Sequence, residues 1–186
     1  ELGVGLIPGG AGCMRMAKQA AMAAANPTAP CIEPFLRQNW QTVAMATVST
    51  SARKAQELRY LPNNATIVMN FDRRLQVARD LIRQVSSAGY LAPPKRPFMA
   101  LGRPAAATLR AGAFNMVHGR FISEYDAFLA NKLAHAMTGG ALSSAQMVSE
   151  DYMLDVERET FLSLLGEKKT HERIESILKN NRPLRN

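Results

Sequence analysis

Cysteine is scarce in this 186-residue chain, and long apolar runs are absent. Its two cysteines, Cys13 and Cys31, are too few for a zinc-binding set or a disulfide framework, and they read as reduced thiols in a cytoplasmic protein. No stretch of about 18 apolar residues exists, so the sequence offers no membrane span. The Ala-rich segment 16–25 is interrupted by Lys18 and Gln19 and stands behind a Gly-rich turn, which excludes a signal-peptide reading. Aromatic residues make up 6% of the chain and do not interleave with its scattered Lys and Arg, which argues against a nucleic-acid surface. The three histidines, His118, His135 and His171, fall on separate predicted helices without metal-ligand spacing.

What the chain does have is a hydrophobic content of 47%, enough for a real core, and a net charge of +8. A basic surface of this kind suits a polyanionic ligand such as one carrying several phosphates. Most of the periodic segments read as helices. The spacing predicts helices over about 13–26, 34–47, 52–58, 70–88, 105–118, 123–137, 150–165 and 171–180. Pro34 suits a first helical position, Trp40 a core anchor, and Met14, Met16 and Met22 the wall of a core or ligand site. Ser123 with Asp126 resembles a capping box, Ser149 an N-cap, and Thr170 the cap of the last helix. Ala65–Met69 is the strand candidate after the opening segment. Residues 90–97, with three prolines and Lys95-Arg96, form the best linker. Glu157, Glu159 and their neighbours read as a solvated or ion-paired helix face rather than a catalytic cluster, and the tail 182–186 as a segment prone to fray.

The first twelve residues carry the most specific pattern. An apolar run, Leu2, Val4, Leu6 and Ile7, stops at Pro8, and Gly9, Gly10 and Gly12 then allow a tight corner before a helix. The corner is not a phosphate loop, because Cys13-Met14 stands where Lys-Ser/Thr would be, and no spaced Gly-x-Gly-x-x-Gly fingerprint is present.

Glu1, Gly5, Ile7-Pro8-Gly9-Gly10, Gly12 and Arg15 resemble the Glu-x-x-x-Gly-x-Ile-Pro-Gly-x-Gly-Gly-x-x-Arg segment of the crotonase (enoyl-CoA hydratase/isomerase) superfamily, with Ala11 standing where that pattern has Gly. Residues 48–52, 70–73, 122–126, 154–159 and 183–186 are similar to the C-terminal part of bacterial β-oxidation enzymes, NAD-dependent 3-hydroxyacyl-CoA dehydrogenases with a crotonase-type module fused behind the dehydrogenase domains. The resemblance implies a mainly α chain with at most two short strands: the C-terminal remnant of a crotonase-like core over 1–69, then a helical region over 70–186. It implies Glu1 as one of two catalytic glutamates that activate water for addition to a 2-enoyl-CoA, and Gly9, Gly10 and Gly12 as substrate-binding residues. Acyl-CoA is the implied substrate. NAD would belong to a dehydrogenase domain outside these residues, with no cofactor or metal in this chain. On this reading the chain is a fragment, inactive alone. Two alternatives accompany it, an enoyl-CoA isomerase portion and a helical interaction module that forms a homo-oligomer through the stripe from Tyr125 to Met137.

Overall fold

The computed structural model describes residues 1–186 and is mainly helical, with two short strands. The chain divides into two compact units, residues 1–48 with 96–186, and residues 49–95. The sequence division at Met69 and Asn70 falls inside the second of these.

The larger unit opens with a 3-10 turn, Leu2–Val4, rather than a strand. Its helices are α1 (Gly12–Ala23), α2 (Ala29–Ala44), α5 (Gly102–His118), α6 (Glu124–Met137), α7 (Glu150–Leu165) and α8 (Lys168–Asn180); the smaller unit holds α3 (Ala52–Glu57) and α4 (Arg74–Ser87). Helix α6 is the centre of the larger unit, packed by α1, α2, α5 and α7. The reason is compositional: Leu129, Leu133, Ala134, Ala136 and Met137 are all fully buried, and small residues between the large ones let neighbouring helices approach. The Tyr125–Met137 stripe is therefore an internal face, not the interaction surface expected from its amphipathicity.

Trp40 does act as an anchor. Its indole N–H donates to the Ala130 carbonyl at 3.0 Å, and its ring passes Gly112 of α5. Burying the indole costs nothing in lost hydrogen bonding because that carbonyl is supplied by α6. Helix α2 starts five residues earlier than Pro34, with Pro30 in its first turn and Pro34 inside the helix. Met14 and Met16 are buried, whereas Met22 is exposed.

The expected start of α6 is present in full: Ser123 Oγ accepts from the Asp126 N–H, and the Asp126 carboxylate accepts from the Ser123 N–H. Ser149 caps α7 in the same way, accepting from the Tyr152 N–H. Thr170 does not cap α8, which begins at Lys168 behind Glu167. It is buried and ties the first residues to the core instead: its hydroxyl donates to the Gly5 carbonyl at 2.6 Å and so receives the Tyr125 hydroxyl at 2.7 Å. Gly5 has φ +90, and a Cβ there would come within 2.9 Å of the Thr170 backbone, so glycine is required on both counts.

Strands β1 (Phe98–Ala100) and β2 (Gln146–Val148) pair antiparallel, Phe98 opposite Val148 and Ala100 opposite Gln146. Neither strand is where the sequence placed one. Ala65–Met69 has strand composition but forms no regular structure, since no second segment of its unit offers a ladder.

In the smaller unit Ser51 caps α3, and the Gln56 side chain donates to the carbonyls of Pro62, Asn63 and Ala65, fixing the loop that follows. Asn70 accepts from the Asp72 N–H and starts a 3-10 turn, Phe71–Arg73, that leads into α4. The apolar stripe of α4 is as predicted in sequence but not in burial: Leu75, Leu81, Ile82 and Val85 are all exposed. Only Ala55 and Gln56 are buried in this unit, so it contains no core against which the stripe could pack.

Candidate functional site

The glycine corner and α7 together build the candidate site. Gly10 and Ala11 both take positive φ, 60° and 75°, which turns the chain sharply into α1. Gly12 lets that turn close, because a Cβ there would come within 2.5 Å of the Pro8 ring. Ala11 is thus an L-residue in the left-handed region, at the position where the resembled pattern has Gly.

A helix that starts this way has no side-chain cap of its own, and its first N–H groups need acceptors. Glu157 of α7 supplies them. One carboxylate oxygen accepts from the Ala11 N–H at 2.7 Å and the other from the Met14 N–H at 2.9 Å. Only 3% of Glu157 is exposed, so the carboxylate is stabilised by these bonds and by the positive end of the α1 dipole rather than by water. The sequence reading as a solvated or ion-paired face is corrected for Glu157, which is buried on backbone donors, but describes Asp155 and Arg158, an exposed ion pair at 2.8 Å. The signal missed was positional. Glu157 lies three residues after Leu154 and four before Phe161, on the inward side of α7, where an unpartnered acid would be prohibitively costly.

Beside this junction lies a cleft of about 460 Å³ lined by Gly9, Gly10, Ala11, Leu154, Glu157, Arg158 and Phe161. Of the residues singled out from sequence, Gly9 and Gly10 line it; Gly12 and Glu1 do not. The Phe161 ring lies against Gly9, 3.5 Å from where a Cβ would stand. Glu1 is exposed, and its carbonyl accepts from the N–H groups of Val4 and Leu6. Cys13, the second residue of α1, is buried. Its thiol donates to the Pro8 carbonyl at 3.2 Å, and burial, then the charges of Glu157 and Glu1, push its pKa well above the ordinary thiol range. A thiol in that state is a packing group, not a nucleophile.

The same geometry bears on a dinucleotide. A pyrophosphate needs free N–H groups at a glycine-rich helix start, and here Ala11 and Met14 already donate to an anion. His118, His135 and His171 stand on α5, α6 and α8, and no three metal-ligating side chains gather anywhere. No helix is long and apolar enough to cross a membrane.

No protein-family model matches the chain, and no solved structure does. Over all 186 residues it is 37% identical to a protein of Bacillus subtilis (strain 168) named "Probable 3-hydroxyacyl-CoA dehydrogenase", and it spans 23% of that relative's length.

Proposed function

We propose that this chain serves a fatty-acid β-oxidation enzyme acting on acyl-CoA thioesters, and that its glycine corner belongs to the part that handles 2-enoyl-CoA. The observation that carries this reading is the identity of 37% to the dehydrogenase-named relative, which extends over every residue of the chain. The spacing from Glu1 through Arg15 supports the finer part, a crotonase-type module with residues 1–69 as the end of its core and 70–186 as the helical region after it.

In this reading a pair of carboxylates moves the protons of the water that adds to the enoyl double bond, and Glu1 is one of the pair. Gly9 and Gly10 bring backbone, without side chains, to the substrate. Hydride transfer to NAD takes place on other residues than these, in keeping with the capped start of α1.

The test uses the protein as expressed from its gene. Glu1→Gln should lower crotonyl-CoA hydration by a factor of about 100 or more, while NADH formation from 3-hydroxybutyryl-CoA is kept. Unchanged hydration would remove Glu1 from the mechanism. A gene product with neither activity would sink the β-oxidation reading itself.

A second reading, a helical interaction module, is favoured by one observation: the α4 stripe, with Leu75 75% and Ile82 69% exposed. Light scattering on the wild type and on Leu75→Glu with Ile82→Glu decides it, since a shared mass for both would exclude self-association through α4.

A further inference from the structure

We propose that α4 and the residues flanking it form a lipid-docking face, which lies in the headgroup layer of an anionic membrane and holds the protein there peripherally. Such a face is independent of which acyl-CoA reaction the protein serves.

The positive charge is concentrated in one place. Residues 49–95, the smaller unit, are about a quarter of the chain, yet they hold 8 of its 23 Lys and Arg and 3 of its 15 Asp and Glu, a net +5 of the total +8. Arg74, Arg79 and Arg83 stand on α4 and Arg73 precedes it, all four exposed. Arg83 has Asp80 at 4.0 Å, a contact between exposed groups that neutralises little.

The apolar side chains are arranged to match. Leu75, Ala78, Ile82 and Val85 recur at three and four residues and share one face of α4, and all are exposed. The main packing partner of α4 is its own leading turn, 71–73. A helix of 14 residues with so little packed against it is marginal in water, so its stripe calls for a cover. Arg79 and Arg83, four apart, run along one border of the stripe, whereas Asp80 lies on the opposite side of the helix. Arg74 stands 3.3 Å over the Phe71 ring, which joins a cation to an apolar anchor at the start of the face.

A bilayer surface meets both demands at once. The stripe enters the acyl boundary, and the arginine stems lie along it with their guanidinium groups at the lipid phosphates. At 14 residues α4 is too short to cross a bilayer and lies in its plane. Phe71 in the leading turn, and Tyr90 and Leu91 beyond the far end, are exposed too, and a lipid surface accepts them without a matched shape. A nucleic acid would leave Leu75 and Ile82 uncovered. A second copy is the weaker occupant, because a two-fold contact through this face brings the Arg79 and Arg83 rows of both chains together.

The gene product is mixed with vesicles of phosphatidylglycerol and phosphatidylcholine in equal parts, or of phosphatidylcholine alone, and floated on a density gradient. It should float with the anionic vesicles, stay behind with the neutral ones, and be released as salt is raised. Leu75→Ser with Ile82→Ser, which changes no charge, should abolish flotation. Arg79→Gln with Arg83→Gln should weaken it about thirtyfold. All four positions are exposed, so circular dichroism of both double variants should match wild type. Ile82→Trp should give an emission that shifts to the blue on binding and is quenched by lipids brominated in their acyl chains.

No flotation with anionic vesicles, or flotation that survives the serine pair, overturns the assignment. So does a dimer mass that the serine pair removes in a protein that binds no vesicles, which gives the face to a second copy. Binding to duplex DNA as tight as to vesicles, and indifferent to the serine pair, would make the unit a general polyanion surface. An indole at position 82 that is already blue-shifted without vesicles would mean that another part of the polypeptide covers the stripe. Enoyl-CoA and 3-hydroxyacyl-CoA turnover bears on none of these outcomes.

Discussion

Arg173 of α8 reaches Asp126 at the start of α6 with a guanidinium–carboxylate contact of 2.8 Å, and only 1% of the Arg173 side chain is exposed. The pair gathers the ends of the fold. Arg173 also donates to Asn186 Oδ1 and stacks over the Tyr125 ring, while Arg185 donates to the other Asp126 oxygen at 3.0 Å. The tail 182–186 is accordingly docked rather than frayed, with the Ser123 hydroxyl donating to the Asn186 carbonyl.

Removing one member of this pair strands the other in the interior. Asp126→Asn or Arg173→Met should each lower the unfolding free energy by about 3 kcal/mol, measured by urea titration. The double variant should lose less than the two single losses added, because no buried charge is left unmatched. Additive losses would show that the two side chains are not coupled.

The same carboxylate predicts an acid limb. Burial raises the Asp126 pKa, but hydrogen bonds from Arg173, the Ser123 backbone and Arg185 outweigh it, and the net shift is downward. A folded-state pKa below the unfolded value means that the stabilisation is complete above the unfolded aspartate range, near pH 4, and is lost as pH falls through the folded pKa. Wild type should therefore lose more stability than Asp126→Asn as the pH is lowered through that region. Parallel acid profiles would contradict the assignment.

Glu157 holds α1 through two backbone N–H groups. Glu157→Ala leaves both without an acceptor in a buried place and should cost about 3 kcal/mol. Glu157→Gln keeps one acceptor oxygen and should cost less. Amide exchange at Ala11 and Met14 reports on the site directly: if those amides stay protected in the alanine variant, the capping role is wrong.

Ala11 sits at φ 75 and ψ 12. Ala11→Gly should stabilise the protein by about 1 kcal/mol, since relief of the left-handed strain exceeds the added entropy of glycine in the unfolded chain. A lower melting temperature for the variant would count against strain at this corner.

Cys13 is buried and its thiol pKa raised, whereas Cys31 is exposed. A disulfide reagent at neutral pH should titrate one thiol in the native protein and two in denaturant. Rapid reaction of both in the native state would place Cys13 in contact with solvent.

Local chemistry was legible wherever neighbours in sequence are neighbours in space. Ser123 with Asp126 and Ser149 cap as their spacing implies, because a cap needs only the N–H groups two or three residues on. The glycine corner was legible for the same reason: proline ends one conformation, and glycine permits the next. The eight helices follow from periodicity, with their ends displaced by a few residues where Pro34 proved tolerable inside α2.

Partners distant in sequence were not legible. Glu157 reads as one acid among several on α7 until the start of α1 is brought to it, and Thr170 reads as a helix cap until Gly5 lies against it. The two strands are three residues each, too short to carry an alternating pattern, and exist only because each finds the other. Periodicity likewise could not tell the stripe of α6 from that of α4. Four helices cover the first, and the second has no core of its own to pack on, because burial depends on what the rest of the chain places opposite a helix and not on the helix's own sequence.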